Sequence, residues 1–204
     1  MRSLMGSSLV LGSVLAGCVA LSSMAAERDA SLYVGTKSCA MCHKKEDTGN
    51  QLSKWQASPH AKAYEMLASP EAKTVGAKVG VNDPQKSGKC LKCHATAYNF
   101  TEELQVKAAE GSTAKIVVED GVTCESCHGP GKNYKSKATM EDQKKSIAVG
   151  LIYPATASCT LCHNEQSPNW KADRYTTKDG KPVGFDAEQA FEKIKHPNPA
   201  TQKK

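Results

Sequence analysis

Apolar residues recur at helical spacing near the C-terminus, where the pattern of one helix is complete. Asp186 is a good N-cap, and Gln189 three residues later completes a capping-box pattern. Pro197 follows closely and predicts where the helix ends. Between these signals one apolar face is formed by Ala187, Ala190, Phe191 and Ile194.

A second helix is predicted in the first third of the chain. Ser58 is a good N-cap and Pro59 suits the first helical position, so the helix should run to about Ala68, where Ser69-Pro70 ends it. Residues three and four apart share a helical face. By that spacing one face carries His60, Tyr64 and Leu67.

The rest of the chain has weaker periodicity. The lysine- and glycine-rich stretch 71–89 predicts a connection, and a short helix is expected from Thr139 to about Ala148. In Lys115-Ile116-Val117-Val118 the last three residues are β-branched, and the turn signal Asp120-Gly121 follows, so a short strand or two-stranded ribbon is expected there. The fold class is therefore mainly α, with at most a short β-ribbon.

The N-terminal segment has the features of an export signal. Residues 1–26 begin with Arg2, continue through a largely apolar run and contain a small-x-small cleavage pattern at Ser23-Met24-Ala25. No later apolar run is long enough to span a membrane. Two outcomes stay open for Cys18: residues 15–18 form a lipobox that anchors the protein through lipid on Cys18, or cleavage near Ala25 discards it. The functional domain is then 27–204.

The chemistry of the chain is concentrated in one motif that occurs four times. Cys-x-x-Cys-His is the attachment site of a c-type haem: the two thiols bond to the porphyrin and the histidine ligates the iron. Zinc sites do not require a histidine directly after each second cysteine, and a redox dithiol needs one such motif rather than four. The motifs, numbered 1 to 4 in chain order, are Cys39–Cys42–His43, Cys90–Cys93–His94, Cys124–Cys127–His128 and Cys159–Cys162–His163.

Four covalent haems change what the composition implies. The chain of 204 residues has only 39% hydrophobic and 5% aromatic residues, a thin supply for a conventional core, so we expect the polypeptide to wrap the haems as its core. The formal charge of +6 falls to roughly +1 oxidised and −3 reduced once the signal is removed and the haem charges are added. The basic composition is therefore no argument for nucleic acid.

The supply of histidines limits the ligands on the far side of each iron. Of six histidines, four belong to the motifs, which leaves His60 and His196 as candidate distal ligands. At most two haems then have two histidine ligands. Methionine is the next best ligand, and Met140 is the candidate outside the motifs, with ordinary packing as the alternative.

The segments around the motifs resemble the tetrahaem cytochrome c-554 family over nearly all of the chain after the signal. The most specific are Cys127-His128-Gly129-Pro130-Gly131-Lys132-Asn133-Tyr134 and Ser58-Pro59-His60-Ala61-Lys62-Ala63; Gly121-Val122-Thr123-Cys124 and Lys193-Ile194-Lys195-His196 add to them. The resemblance implies a mostly helical periplasmic protein with closely packed haems that relays electrons, in the type member from hydroxylamine oxidoreductase onward.

The same resemblance implies a ligand for each iron. His60 would ligate haem 3 at His128, His196 would ligate haem 4 at His163, and haem 2 at His94 would be five-coordinate. The family histidine that serves haem 1 has no counterpart here, because the matching position is near Ala138. For haem 1 at His43, either Met140 replaces that ligand or the iron is open.

The sequence thus favours a periplasmic electron-transfer protein, not an enzyme, that exchanges single electrons with redox proteins as donor and acceptor. The alternative is a small haem reductase that acts on nitric oxide, nitrite or hydroxylamine at a five-coordinate haem. The shortage of histidines supports that alternative, while the absence of a spare histidine as proton donor weighs against it.

Overall fold

In the computed structural model, the described residues 29–100, 116–153 and 155–199 are mainly helical, which confirms the predicted fold class. The α-helices of these ranges are α1 Thr36–His43, α2 Gln51–Gln56, α3 Ala63–Met66, α4 Pro70–Lys78, α5 Gly88–His94, α6 Cys124–His128, α7 Lys137–Met140, α8 Gln143–Ala148 and α9 Ala187–Ile194. Short 3-10 helices cover Ala30–Leu32, Glu46–Thr48, Pro84–Lys86, Thr96–Phe100, Val118–Asp120, Gly131–Asn133 and Ala155–Leu161. The two strands are β1 Tyr175–Thr176 and β2 Pro182–Val183.

The region around Ser58 and Ser69 is helical, but the two serines have the opposite roles to those predicted. The Ser58 hydroxyl donates to the Trp55 carbonyl at 2.7 Å and so closes α2, while α3 begins only at Ala63. Ser69 accepts from the Ala72 amide at 3.1 Å and Pro70 occupies the first turn of α4. The predicted connection 71–89 was therefore wrong at its start, because Ser-Pro begins a helix there rather than ending one.

The helix predicted from Thr139 to Ala148 is divided into α7 and α8. Ser136 caps α7 by accepting from the Thr139 amide at 3.3 Å. Asp142 then accepts from the Lys145 amide at 3.1 Å and starts α8 as a new helix. An aspartate competes well for the amides of a first turn, so it favours a new helix start over continuation. At the C-terminus, Asp186 caps α9 as predicted, with the Gln189 amide at 3.0 Å.

The predicted β-ribbon exists at a different place. Ile116 and Val117 form no strand, and Val118–Asp120 is a 3-10 helix, while Lys115 lies outside the described residues. Instead β1 and β2 pair antiparallel, with Tyr175 opposite Val183. Burial of Ile116 explains the error. Its side chain is 1% exposed and packs in the core, so this β-branched residue fills the core and does not pair in a β-sheet.

The protein's own core is small and centres on the second motif. Leu91 of that motif packs with Leu67 and Ile116, and the remaining members are Ala30, Tyr33, Ala95, Ala97 and Val118. Three of the eight are alanines, which bury little apolar area. Within the described ranges no helix is long and apolar enough to cross a membrane.

Candidate haem-binding sites

Each motif sits on a short helical segment that ends at or near its histidine. Motifs 1, 2 and 3 lie on α1, α5 and α6, which end at His43, His94 and His128. Motif 4 begins on the 3-10 segment Ala155–Leu161 and ends two residues beyond it, where the His163 amide donates to the Cys159 carbonyl at 2.9 Å. A turn of helix places the two thiols and the imidazole on one side. All eight motif cysteines are free of disulfides, as attachment to haem requires.

Cysteines of different motifs lie beside one another. A hydrogen bond to Cys124 is the main cause that raises the pKa of Cys39, and a hydrogen bond with Cys162 lowers the pKa of Cys93 to about 7. Burial, and then the charge of Cys159, raises the pKa of Cys127 to about 11. These neighbours place the motifs in the spatial order 1–3–4–2. In a haem-loaded chain these sulfurs are thioethers and no longer titrate. What the contacts show for that form is that the paired sulfurs lie close together.

Three of the four motif histidines are oriented through Nδ1. His94 Nδ1 lies 2.8 Å from the Ala63 carbonyl oxygen and His128 Nδ1 lies 3.3 Å from that of Ile152, both as donors. His43 Nδ1 instead lies 3.0 Å from Oε1 of the Gln51 side chain. A proton held on Nδ1 leaves Nε2 with its lone pair free for a metal.

Two further histidines face motif histidines at the spacing of a shared iron. The ring centres of His60 and His163 are 6.0 Å apart, and those of His196 and His128 are 5.9 Å apart. An iron between two imidazoles, with bonds of about 2 Å to each nitrogen, places the ring centres roughly 6 Å apart. The residues present therefore fit a haem iron. Burial lowers the pKa of all four, which favours the neutral imidazole that ligates.

This pairing differs from the one implied by the family resemblance. His60 faces His163 of motif 4, not His128, and His196 faces His128 of motif 3, not His163. The His60 carbonyl accepts from the Val122 amide, which holds the His60 segment beside the residues that lead into motif 3. The ring contacts therefore favour the exchanged pairing of the two distal histidines, and the ligand of each iron stays a prediction.

His43 and His94 have no histidine ring opposite them in the described ranges, and these ranges contain all six histidines. Met140 is the last residue of α7 and is half-buried. Its role as the ligand of haem 1 stays a prediction. Within the described residues no group of three or more His, Cys, Asp or Glu is arranged to hold a bare metal ion.

Gln51 connects the first motif with the C-terminal segment. Its Oε1 faces His43, while its Nε2 donates to the carbonyls of Thr48 at 2.5 Å and Pro197 at 2.8 Å. Because Nε2 of Gln51 donates to these two carbonyls, the atom that faces the His43 imidazole is the acceptor Oε1. Pro197 directly follows His196, so one side chain touches both His43 of motif 1 and the segment that bears His196. We call this contact the Gln51 clasp. A lone glutamine gives no signal in the sequence.

Replacing Gln51 should move the reduction potential of haem 1. Gln51→Leu removes the acceptor of the His43 Nδ1 proton, makes the imidazole a weaker donor to iron and raises the potential. Gln51→Glu keeps an acceptor and adds a negative charge, so it lowers the potential. Gln56→Leu, at the exposed end of the same helix, is the matched control. Potentiometric titration, with haem 1 followed through its methyl NMR signals, measures these changes in potential. Shifts of the same sign in Gln51→Leu and Gln51→Glu would contradict the role of Gln51 as acceptor of the His43 proton.

Comparison with known proteins finds similarity over the segments that carry the motifs. The family model described as cytochrome c554 and c-prime matches residues 38–129, which contain motifs 1 to 3. Cytochrome c-554 of Nitrosomonas europaea is 28% identical over 155 residues, 68% of this chain and 61% of the relative, so the match spans about three fifths of that protein. The solved reduced state of cytochrome c554 from the same organism is 25% identical, covering 79% of this chain and 77% of that chain with a TM-score of 0.45.

Proposed function

We propose that the chain belongs to the cytochrome c-554 family, to which residues 38–129 are similar, and that it is a periplasmic electron carrier with four covalent c-type haems. Similarity to that family supports a multihaem c-type cytochrome with covalently bound haem iron. The number four is inferred from the four motifs, and the location from residues 1–26, which lie outside the described residues. Redox proteins are its proposed electron donor and acceptor.

The observation that carries this proposal is the sequence of contacts between attachment sites. Cys39 touches Cys124, Cys127 lies beside Cys159, and Cys162 touches Cys93. Each bound haem would supply a one-electron couple. Attachment points in contact keep neighbouring macrocycles close, so the chain's helices arrange four redox centres as a continuous series rather than as isolated sites.

The ligands support the carrier function as well. Two irons would be held between facing imidazoles, His60 with His163 and His196 with His128, and have no position free for a substrate. The reductase alternative rests on haems 1 and 2, because no histidine faces the motif histidines of these two haems in the described ranges. Reduction of nitrite or hydroxylamine at such a site would also need a proton donor on the open face.

Haem content and turnover test the proposal together. Protein isolated from its native compartment should contain four haems and four irons per chain, and a Cys90→Ala, Cys93→Ala double variant should contain three. A dithionite-reduced sample should pass electrons to an oxidised cytochrome in a single mixing experiment. It should show no catalytic consumption of nitrite, hydroxylamine or nitric oxide. Sustained turnover of any of these would favour the reductase, and fewer than four haems would contradict the carrier as proposed.

A further inference from the structure

Glu125 is a buried carboxylate inside the third attachment motif. It occupies the first of the two positions between Cys124 and Cys127, on α6, and is 2% exposed. Burying an ionised carboxylate is costly unless hydrogen bonds replace the lost water. The position between motif cysteines needs no acidic residue for haem attachment, so this side chain calls for its own explanation.

Three backbone amides replace that water. Glu125 Oε1 accepts from Gly131 at 2.7 Å and from Val34 at 2.9 Å, and Oε2 accepts from Gly35 at 2.9 Å. Amide dipoles stabilise an anion without neutralising it, and three amides aimed at one carboxylate are the surroundings that a buried anion requires. The donors come from both sides: Gly35 is the N-cap of α1, which carries motif 1, and Gly131 follows motif 3.

The backbone around the carboxylate is shaped for it. A Cβ on Gly131 would lie 2.7 Å from Val34 Cγ2 and 3.2 Å from Glu125 Oε1, so only glycine lets the amide approach. Gly35 has φ +75°, a conformation that favours glycine. Nearby, the buried Tyr134 donates its hydroxyl to the Gly129 carbonyl at 2.6 Å. Together these residues form a built anion site between α1 and α6.

The charge of this site reaches the attachment points of two haems. The pKa of Cys39 is raised by its hydrogen bond to Cys124, by burial and by the charges of Cys124 and Glu125. Burial, followed by the charge of Glu125, raises the pKa of Tyr134. Cys39 attaches haem 1 and Cys124 attaches haem 3, so a single fixed charge lies beside both. Haems 2 and 4 are attached through cysteines of α5 and of the segment before His163.

We propose that Glu125 is a fixed anion shared by haems 1 and 3 that lowers both reduction potentials together, relative to haems 2 and 4. A negative charge in a medium of low dielectric constant stabilises the ferric over the ferrous state, and the effect falls with distance. Glu125 acts through its charge, and its carboxylate accepts hydrogen bonds from three backbone amides rather than from a histidine ring. The inference rests on the proposed function, because it requires haems at motifs 1 and 3.

The test compares Glu125→Gln with two matched variants by potentiometric titration, each haem followed through its assigned methyl NMR signals. Glu125→Gln removes the charge and retains an acceptor for Val34 and Gly131. Glu125→Asp keeps the charge on a shorter side chain. Glu119→Gln removes the same charge from an exposed residue six positions before Glu125. Haem stoichiometry is measured on every sample, so failure of the tetrahaem proposal appears as a wrong count in wild type and is separate from failure of this inference.

Under the proposal Glu125→Gln shifts the potentials of haems 1 and 3 in the positive direction, by more than those of haems 2 and 4. Glu119→Gln and Glu125→Asp leave all four close to wild type. Equal positive shifts in Glu125→Gln and Glu125→Asp would show that the side-chain geometry, not the charge, sets the potentials, and would overturn the proposal. A uniform shift of all four potentials would overturn it as well. Should Glu125→Gln fail to load haem, Glu125→Ala takes its place under the same criteria: positive shifts of haems 1 and 3 that exceed those of haems 2 and 4 support the proposal, and absent or uniform shifts overturn it.

Discussion

Removal of His60 should open one iron per chain to carbon monoxide, and that iron should be the one at His163. His60→Gly deletes the imidazole whose ring centre lies 6.0 Å from that of His163. A six-coordinate iron becomes five-coordinate, so the reduced protein binds one more carbon monoxide per chain than wild type. His196→Gly should do the same at the haem of His128, and the double variant should bind two more.

A titration of the Soret change against total haem measures this, with the affected haem identified from its NMR signals. Lys62→Gly and Lys195→Gly change exposed neighbours of the two histidines and serve as controls. If His60→Gly opened the haem of His128, the pairing implied by the family resemblance would stand and the observed ring contacts would be wrong. The wild-type value reports how many of haems 1 and 2 are already open.

Gly121→Ala should destabilise the protein more than the same substitution at a glycine that has positive φ but open space around it. Gly121 has φ +66° and ψ −141°, a region that residues other than glycine enter at a cost of roughly 1–3 kcal/mol. An added Cβ would also lie 3.1 Å from the His60 carbonyl oxygen and 3.2 Å from that of Ala61. Those carbonyls must move, which adds a cost on the order of 1–3 kcal/mol.

Gly80→Ala separates the two causes, because Gly80 has φ +71° but no atom within 4 Å of the Cβ that alanine would add. Denaturant unfolding of the haem-loaded proteins should therefore place Gly121→Ala well below Gly80→Ala in stability. Since the Val122 amide holds the His60 carbonyl at 3.1 Å, Gly121→Ala should also weaken ligation by His60 and increase carbon monoxide binding. Equal free energies of unfolding for the two variants would show that the His60 and Ala61 carbonyls can move aside with no loss of stability.

The chemistry of this chain was easier to predict than its local structure. The attachment motifs are local in sequence, and counting histidines limited the distal ligands to His60 and His196 before any contact was known. Ser58 and Ser69 show the opposite case. Both precede proline, yet one closes a helix and the other opens one, because the outcome depends on which carbonyl or amide each hydroxyl meets.

The pairing of histidines and the buried anion depend on tertiary structure. His60 and His163 are 103 positions apart in the numbering, and no spacing rule specifies that they meet. Glu125 lies in a position where any residue fits the motif, and its partners Val34 and Gly35 come from the other end of the chain. Ile116 misled the strand prediction for a related reason: residues suited to a strand are equally suited to a small dry core.

The Gln51 clasp has a consequence for how the protein is made. It joins residues 146 positions apart, so it closes only after the last part of the chain has been synthesised. If the iron at His128 takes His196 as proposed, a chain that carries all four attachment motifs but ends before His196 would lack that ligand. Proteolysis after Lys195 would have the same effect: under the proposed pairing every haem stays attached, one iron becomes open, and the first motif is no longer tied to the C-terminal segment. The distal ligand of one proposed redox centre therefore depends on a segment that haem attachment itself does not require.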